Sequence, residues 1–190
     1  MRYPTGHRQR SRDRIIEAAA SLFRSRGISN TGIDAVMASV GLTAGGFYAH
    51  FKSKQDLIGE VVRKAFAEGE GRLTCNEEDD RAWLETVLRR YMSRSHRDHP
   101  DEGCPMTTLL TELPHVHDVV QPIVVEQVSS YAELLEKRLA KGASNARQRA
   151  LAIIALMVGA VALARVLRGS KLSDEILMAA RTVGVSLADR

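Results

Sequence analysis

Apolar residues recur along this chain at spacings of three and four, with no sustained alternation at two. That period belongs to helices. Over residues 8–26, Ile15, Ile16, Ala19, Leu22 and Phe23 share one face, and arginines with Glu17 cover the other. Gly27 ends this helix as a C-terminal glycine. Thr31 and Asp34 read as a capping box before a short helix whose inner face is Ile33, Val36, Met37 and Val40, stopped by Gly41. Thr43 caps a third helix carrying Phe47, Tyr48 and Phe51. Ser53 and Asp56 form a second capping-box pattern, opening a fourth helix through Leu57, Ile58, Val61, Val62 and Phe66.

Residues 69–80, with two glycines and four consecutive acids, break the pattern as a solvated connection. A helix over 82–97 follows, with Trp83, Leu84, Val87, Leu88, Tyr91 and Met92 as its apolar stripe. Pro105 suits the first position of a short helix ending before Pro114. The next helix begins between Asp118 and Pro122 and runs to Gly142. Ser144 or Asn145 caps an apolar helix to Arg168, and Ser173 starts the last, with Leu172 and Leu177 spaced as a hydrophobic staple. The expected fold class is all-α, about nine helices. The uncharged apolar run 150–164 is shorter than the roughly 20 residues that span a bilayer and is bracketed by arginines, so it is expected as a buried helix. No membrane association is expected.

Charge sharpens the picture. The 190 residues carry a net charge of +4, but residues 1–54 hold nine Lys/Arg against three Asp/Glu. A basic first quarter on a slightly acidic body points to an anionic partner met at one end. Three short helices, the second and third joined by a tight glycine turn, describe a helix-turn-helix unit, whose last helix enters the major groove of duplex DNA. The run from Gly41 to Leu57, together with 16–23, Gly27 and 31–34, resembles the tetracycline-repressor (TetR) family of bacterial transcription regulators. The resemblance implies an operator-binding domain over 1–52, a helical effector-binding and dimerisation domain over 53–190, and a homodimer through the last two helices. It implies a cytoplasmic repressor released by a small molecule.

On that motif the DNA-contacting candidates are Thr31, Thr43, Ala44, Gly45, Gly46, Tyr48, His50 and Lys54. Thr43 and Lys54 open helices and suit phosphate contacts. Plainer roles for Thr43, Tyr48, His50 and Lys54 are an N-cap, a half-buried aromatic, a surface histidine and a solvated lysine. Ala44, Gly46 and Ala49 leave the recognition helix with few groups that can hydrogen-bond to bases. The glycines then either pack within the protein or let its backbone approach the groove, with Ala44 against a thymine methyl. The run from Arg8 to Arg12 reads either as a disordered basic tail or as an arm reaching phosphates.

The effector candidates are Phe66, Trp83, Val87, Tyr91, Cys104, Met106, Leu109, Val128, Tyr131 and Met157, a mixture of aromatics and methionines suited to an apolar or amphipathic molecule. Each also fits a plain core. Cys104, between Gly103 and Pro105, sits at a predicted helix start that would activate its thiol towards electrophiles; the alternative is an inert buried cysteine. His96, His99, His115 and His117 lie near Cys104 in sequence, but no second cysteine stands at ligand spacing, so no metal is expected. No cofactor is expected either. Nucleophile-elbow, P-loop, dinucleotide-fold and zinc-protease motifs are absent, which disfavours a small helical enzyme; a helical adaptor leaves the basic arm and Lys54 without a role.

Overall fold

The computed structural model describes residues 5–69, 75–100, 103–109, 112–139 and 145–188. Among them every regular element is helical: α1 (Thr5–Arg26), α2 (Ile33–Ser39), a 3-10 helix (Ala44–Ala49), α3 (Lys54–Gly69), α4 (Asp80–Tyr91), α5 (Arg94–Asp98), α6 (Pro105–Leu109), a 3-10 turn (Leu113–Val116), α7 (His117–Arg138), α8 (Ala146–Val166) and α9 (Lys171–Ser186). The chain divides into two compact units. One is Met1–Ala67 with Leu109–Ile123; the other is Glu68–Thr108 with Val124–Arg190.

In the first unit, Ile15, Ala19 and Phe23 of α1 are buried together with Val36, Met37, Phe47, Phe51, Leu57 and Ile58. Gly27 and Gly41 take left-handed φ values of +84° and +72°, so the helix stops read from the sequence are real. A Cβ on Gly27 would also stand 2.6 Å from a Glu112 carboxylate oxygen. That carboxylate accepts the Ser29 N–H at 2.9 Å, tying the α1–α2 turn to a distant segment. Half of the α3 capping box forms: Ser53 Oγ accepts the Asp56 N–H, while Asp56 accepts the N–H of Lys52 rather than that of Ser53.

Several expectations give way. Arg8 to Arg12 are no arm, because α1 already begins at Thr5. The helix expected over 82–97 breaks at Met92, and Ser93 caps a new helix by accepting the His96 N–H. Asp79 caps α4, so helix begins within the acidic run. Ser170 caps α9 three residues ahead of the expected start. Leu172 is then exposed while Leu177 is buried, and no staple joins them. The end of α7 expected at Gly142, and Ser144, lie outside the described residues.

In the second unit α9 packs on α8 and on α4. A Cβ on Gly184 would meet Leu88 Cδ1 at 2.8 Å, so the glycine sets the close α4–α9 approach. By length and composition α8 is apolar enough to cross a membrane. Ala150, Ile153, Met157, Val161 and Ala164 instead bury one of its faces within the protein. Arg149, also buried, donates to the carbonyls of Leu187 and Ala188, a cation at the C-terminal end of α9.

Candidate functional site

The recognition segment is a 3-10 helix rather than an α-helix, and its sequence explains why it holds its place. Two glycines in six residues weaken α-helical propensity. Phe47 instead pins the segment: it is fully buried, stacks on Phe51 at 5.4 Å and meets Tyr48 edge-on at 5.3 Å. Burying Phe47 turns Tyr48 outward, where it is 68% exposed. Thr43 caps the segment through its backbone, and its hydroxyl makes no capping bond. Thr43, Ala44 and Gly45 are exposed; Gly46 and His50 are half-buried.

Arginines of α1 brace this face. Arg8 donates to the carbonyl of Ala49, and Arg14 donates to the carbonyl of Val40 at 2.9 Å. Arg12 lies over the Phe51 ring at 4.8 Å and pairs with Glu60 at 3.3 Å. These struts are what the basic run does within the chain. They also act on His50, whose pKa is lowered by burial and by the charges of Arg8 and Arg12. Its Nδ1 is buried without a partner.

Two candidates prove partly committed inside the protein. Thr31 is buried, and its hydroxyl donates to the carbonyl of Gly27 at 2.7 Å. It fastens the end of α1; Gly32 takes the cap position of α2 with no side-chain bond, so the expected capping box does not form. Lys54 is half-buried and donates from Nζ to the carbonyl of Ile28 at 2.7 Å. An ammonium has three donors, so this bond leaves two for other acceptors. Lys54→Ala is therefore expected to lower the unfolding free energy by about 1–2 kcal/mol, read from denaturant melts. A lysine that served DNA alone would leave stability within about 0.5 kcal/mol.

The second unit holds a small cavity of about 20 Å³, lined by Tyr91, Cys104, Met106, Val128, Tyr131, Leu135, Ile154, Met157 and Val158. The first five and Met157 were expected from the sequence; Leu135, Ile154 and Val158 were not, because their periodicity is that of any core helix. Phe66, Trp83, Val87 and Leu109 do not line it. Phe66 and Leu109 belong to the other unit. Trp83 is buried with Arg138 over its ring at 5.4 Å, and Val87 is plain core.

A polar cluster shapes one wall. The Cys104 N–H donates to His96 Nε2 at 3.0 Å, so His96 carries its proton on Nδ1, which donates to the carbonyl of Tyr91 at 2.6 Å. Both ring nitrogens are thus engaged, which leaves His96 no lone pair for a metal. His99 is exposed, and the side chains of His115 and His117 lie outside the described residues. Burial, together with the Cys104 thiol beside it, raises the Tyr91 pKa well above the ordinary phenol value. Arg165 reaches across α5 and α6, donating to the carbonyls of His96 and Arg97 and to the hydroxyls of Thr107 and Thr108. Cys104 itself is buried and α6 is only five residues long, while Cys75 is more open. Burial fits the inert-cysteine alternative for Cys104 and leaves Cys75 the more accessible thiol.

A braced helix-turn-helix with an exposed tip, in a chain whose second unit is also all helical, is the build of a DNA-binding regulator. Residues 15–61 match the model of bacterial regulatory proteins of the tetR family, and residues 81–180 match the tetracyclin repressor-like C-terminal domain. The chain belongs to the TetR family, a family of regulators rather than enzymes. A transcriptional repressor, DhaR of Mycobacterium sp. (strain GP1), is 23% identical over 131 residues, 69% of this chain and 66% of that one. The repressor KstR2 of Mycolicibacterium smegmatis is 38% identical over 52 residues, covering 27% of this chain and 25% of that one. The solved structure of a TetR transcriptional regulator from Chloroflexus aurantiacus superposes with a TM-score of 0.83 at 25% identity, covering 98% of both chains. A TetR-family regulator from Cytophaga hutchinsonii gives 0.78 at 20% identity over 97% of this chain and 98% of that one, a likeness of fold.

Proposed function

We propose that this protein is a cytoplasmic transcriptional repressor that binds a pseudo-palindromic DNA operator as a homodimer and is released by a small apolar effector. The observation that carries the reading is the exposed tip of the helix-turn-helix: Thr43, Ala44, Gly45 and Tyr48 stand clear of the core on a segment anchored by Phe47. Thr43 and Tyr48 offer hydroxyls to phosphate, Ala44 a methyl to thymine, and Lys54 its remaining N–H groups to the backbone. The names of the relatives, repressors among them, support the sign of regulation.

The dimer reading rests on α8 and α9. Ala155, Gly159, Leu163, Ile176, Ala179 and Val183 line an apolar groove between them. Val166, 83% exposed, extends the same apolar face. A second copy covering it by two-fold symmetry would make a four-helix interface. Leu177, Ala180 and Gly184 of α9 are buried within one chain.

The effector reading rests on the cavity. At about 20 Å³ it holds little more than a water molecule, so an effector must push its walls apart. Such a ligand prefers a conformer other than the one described, and that preference is what allows it to shift DNA affinity. α7 supplies Val128, Tyr131 and Leu135 to the cavity, and its first turns belong to the DNA-binding unit, packed on α3: a Cβ on Gly59 would stand 3.0 Å from Val119 Cγ1. Movement of α7 and α3 would then alter the spacing of the two recognition segments.

The test is selection of duplex DNA from a random pool by the purified protein, followed by binding isotherms on the selected site. Half-sites centred about 34–36 Å apart, or a multiple of that, are expected. Thr43→Val and Tyr48→Ala should each weaken binding about tenfold, as loss of one charge-assisted contact implies, with the melting temperature unchanged. A protein that enriches no sequence overturns the reading.

A further inference from the structure

A guanidinium keeps its charge at every ordinary pH, so burying one is costly unless its donors and its charge are both answered. Arg149 is 5% exposed. Its Nη1 donates to the carbonyls of Leu187 and Ala188 at 3.2 and 3.5 Å. Its Nε and Nη2 are buried without a hydrogen-bond partner. Those two nitrogens form one edge of the planar fork, the edge that takes a carboxylate through two parallel bonds. The protein uses the same edge elsewhere: Arg94 holds Asp174 through Nε at 3.0 Å and Nη2 at 2.7 Å.

The surroundings are positive as well. Arg149 stands in the first turn of α8, which contains no acid, and Asn145 caps that helix without a side-chain bond. Arg147 of the same turn is a second cation, paired with Glu136 at 3.6 Å. The partial positive charge of the helix N-terminus adds to both. Among the described residues the guanidinium is bonded only to the two α9 carbonyls, which are dipoles and leave its charge unbalanced. We infer that the Nε/Nη2 edge of Arg149 is a carboxylate-binding site. One carboxylate there would accept both remaining donors and neutralise the buried charge, clasping the start of α8 to the end of α9. Two sources carry that chemistry. Asp189 follows Ala188 in sequence and lies outside the described residues. A small organic acid from solution is the other; Leu187 and Ala188 are half-buried, so the guanidinium lies just beneath the end of α9. Such an acid would be a second ligand, because Arg149 does not line the cavity of Tyr91 and Met157. Neither source depends on DNA or on the cavity effector.

The experiment measures the melting temperature of the full chain at neutral pH in sodium formate, against sodium chloride of equal ionic strength. Wild type is compared with Arg149→Met and Arg149→Lys. Lysine keeps the charge but loses the two-pronged edge, and it serves alone should the methionine variant fail to fold. With an organic acid as the source, formate raises the wild-type melting temperature by about 2–4 °C and neither variant responds. With Asp189 as the source, Asp189→Asn lowers the melting temperature by about 2–4 °C in wild type and leaves Arg149→Lys unchanged. A formate shift that survives in Arg149→Lys is a bulk salt effect and overturns the inference. So does an Asp189→Asn loss that persists in Arg149→Lys, and so does a wild type indifferent to both formate and Asp189→Asn.

Discussion

Gly159→Arg is expected to leave the protein folded and monomeric. Gly159 lies half-buried on the groove-lining side of α8, and a Cβ there meets nothing within 4 Å. The long side chain can therefore extend from a single chain without disturbing its core, and helical content should be retained. What it disturbs is the surface around it. Leu163 and Val183, which line the same groove, are large apolar residues exposed on α8 and α9. If a second copy covers this surface as proposed, a charge at the centre of the close helix contact must either be buried unpaired or hold the helices apart. Loss of the dimer removes the second half-site from reach, so operator affinity should fall a hundredfold or more, the scale of effective-concentration gains. Light scattering checks the mass and circular dichroism the fold. A stable dimer carrying this change would refute the assignment of the interface.

Arg165→Met should cause the largest loss of stability, about 3 kcal/mol. Arg165 is half-buried and its pKa is lowered by burial, and the bonds it donates go to carbonyls and hydroxyls. Its partners are the carbonyls of His96 and Arg97 on α5 and the hydroxyls of Thr107 and Thr108 on α6. Methionine matches the stem but leaves those acceptors without a donor, and each unsatisfied group costs free energy. For a protein of this size the melting temperature should fall by about 6–12 °C. Arg165→Lys should recover little, since a single ammonium cannot reproduce the planar fork. Both variants should also loosen the His96–Cys104 wall of the cavity. A methionine variant melting within 2 °C of wild type would show that the cage is dispensable.

Much of this was legible in order of sequence distance. Helix stops at Gly27 and Gly41, the Ser53 cap and the amphipathic face of α1 each depend on residues within a turn or two of one another. So does the motif from Gly41 to Leu57, which carried both the fold class and the family. Local chemistry misled where a side chain had a distant option. Thr31 looked like a cap for α2, but the Gly27 carbonyl takes its hydroxyl. Lys54 read as a phosphate contact or a solvated lysine, but the Ile28 carbonyl takes one of its N–H groups. The run from Arg8 to Arg12 read as a disordered tail or an arm, but it lies on α1, where Arg8 donates to the Ala49 carbonyl, as the neighbouring Arg14 does to that of Val40.

The cavity divides the same way. Periodicity identified Tyr91, Met106, Val128, Tyr131 and Met157 as inward-facing, because a helix must bury its apolar stripe. It gave no means of telling a cavity wall from packed core, so Trp83 and Val87 were grouped with them. That distinction depends on how helices from remote parts of the chain meet, and on the cage that Arg165 builds from residues more than fifty positions away. The sequence by itself determined the helical class, the stops at Gly27 and Gly41, and the family. Only the tertiary structure decided which polar groups were already bonded inside the chain, and so which remain for DNA, for an effector and for a second copy.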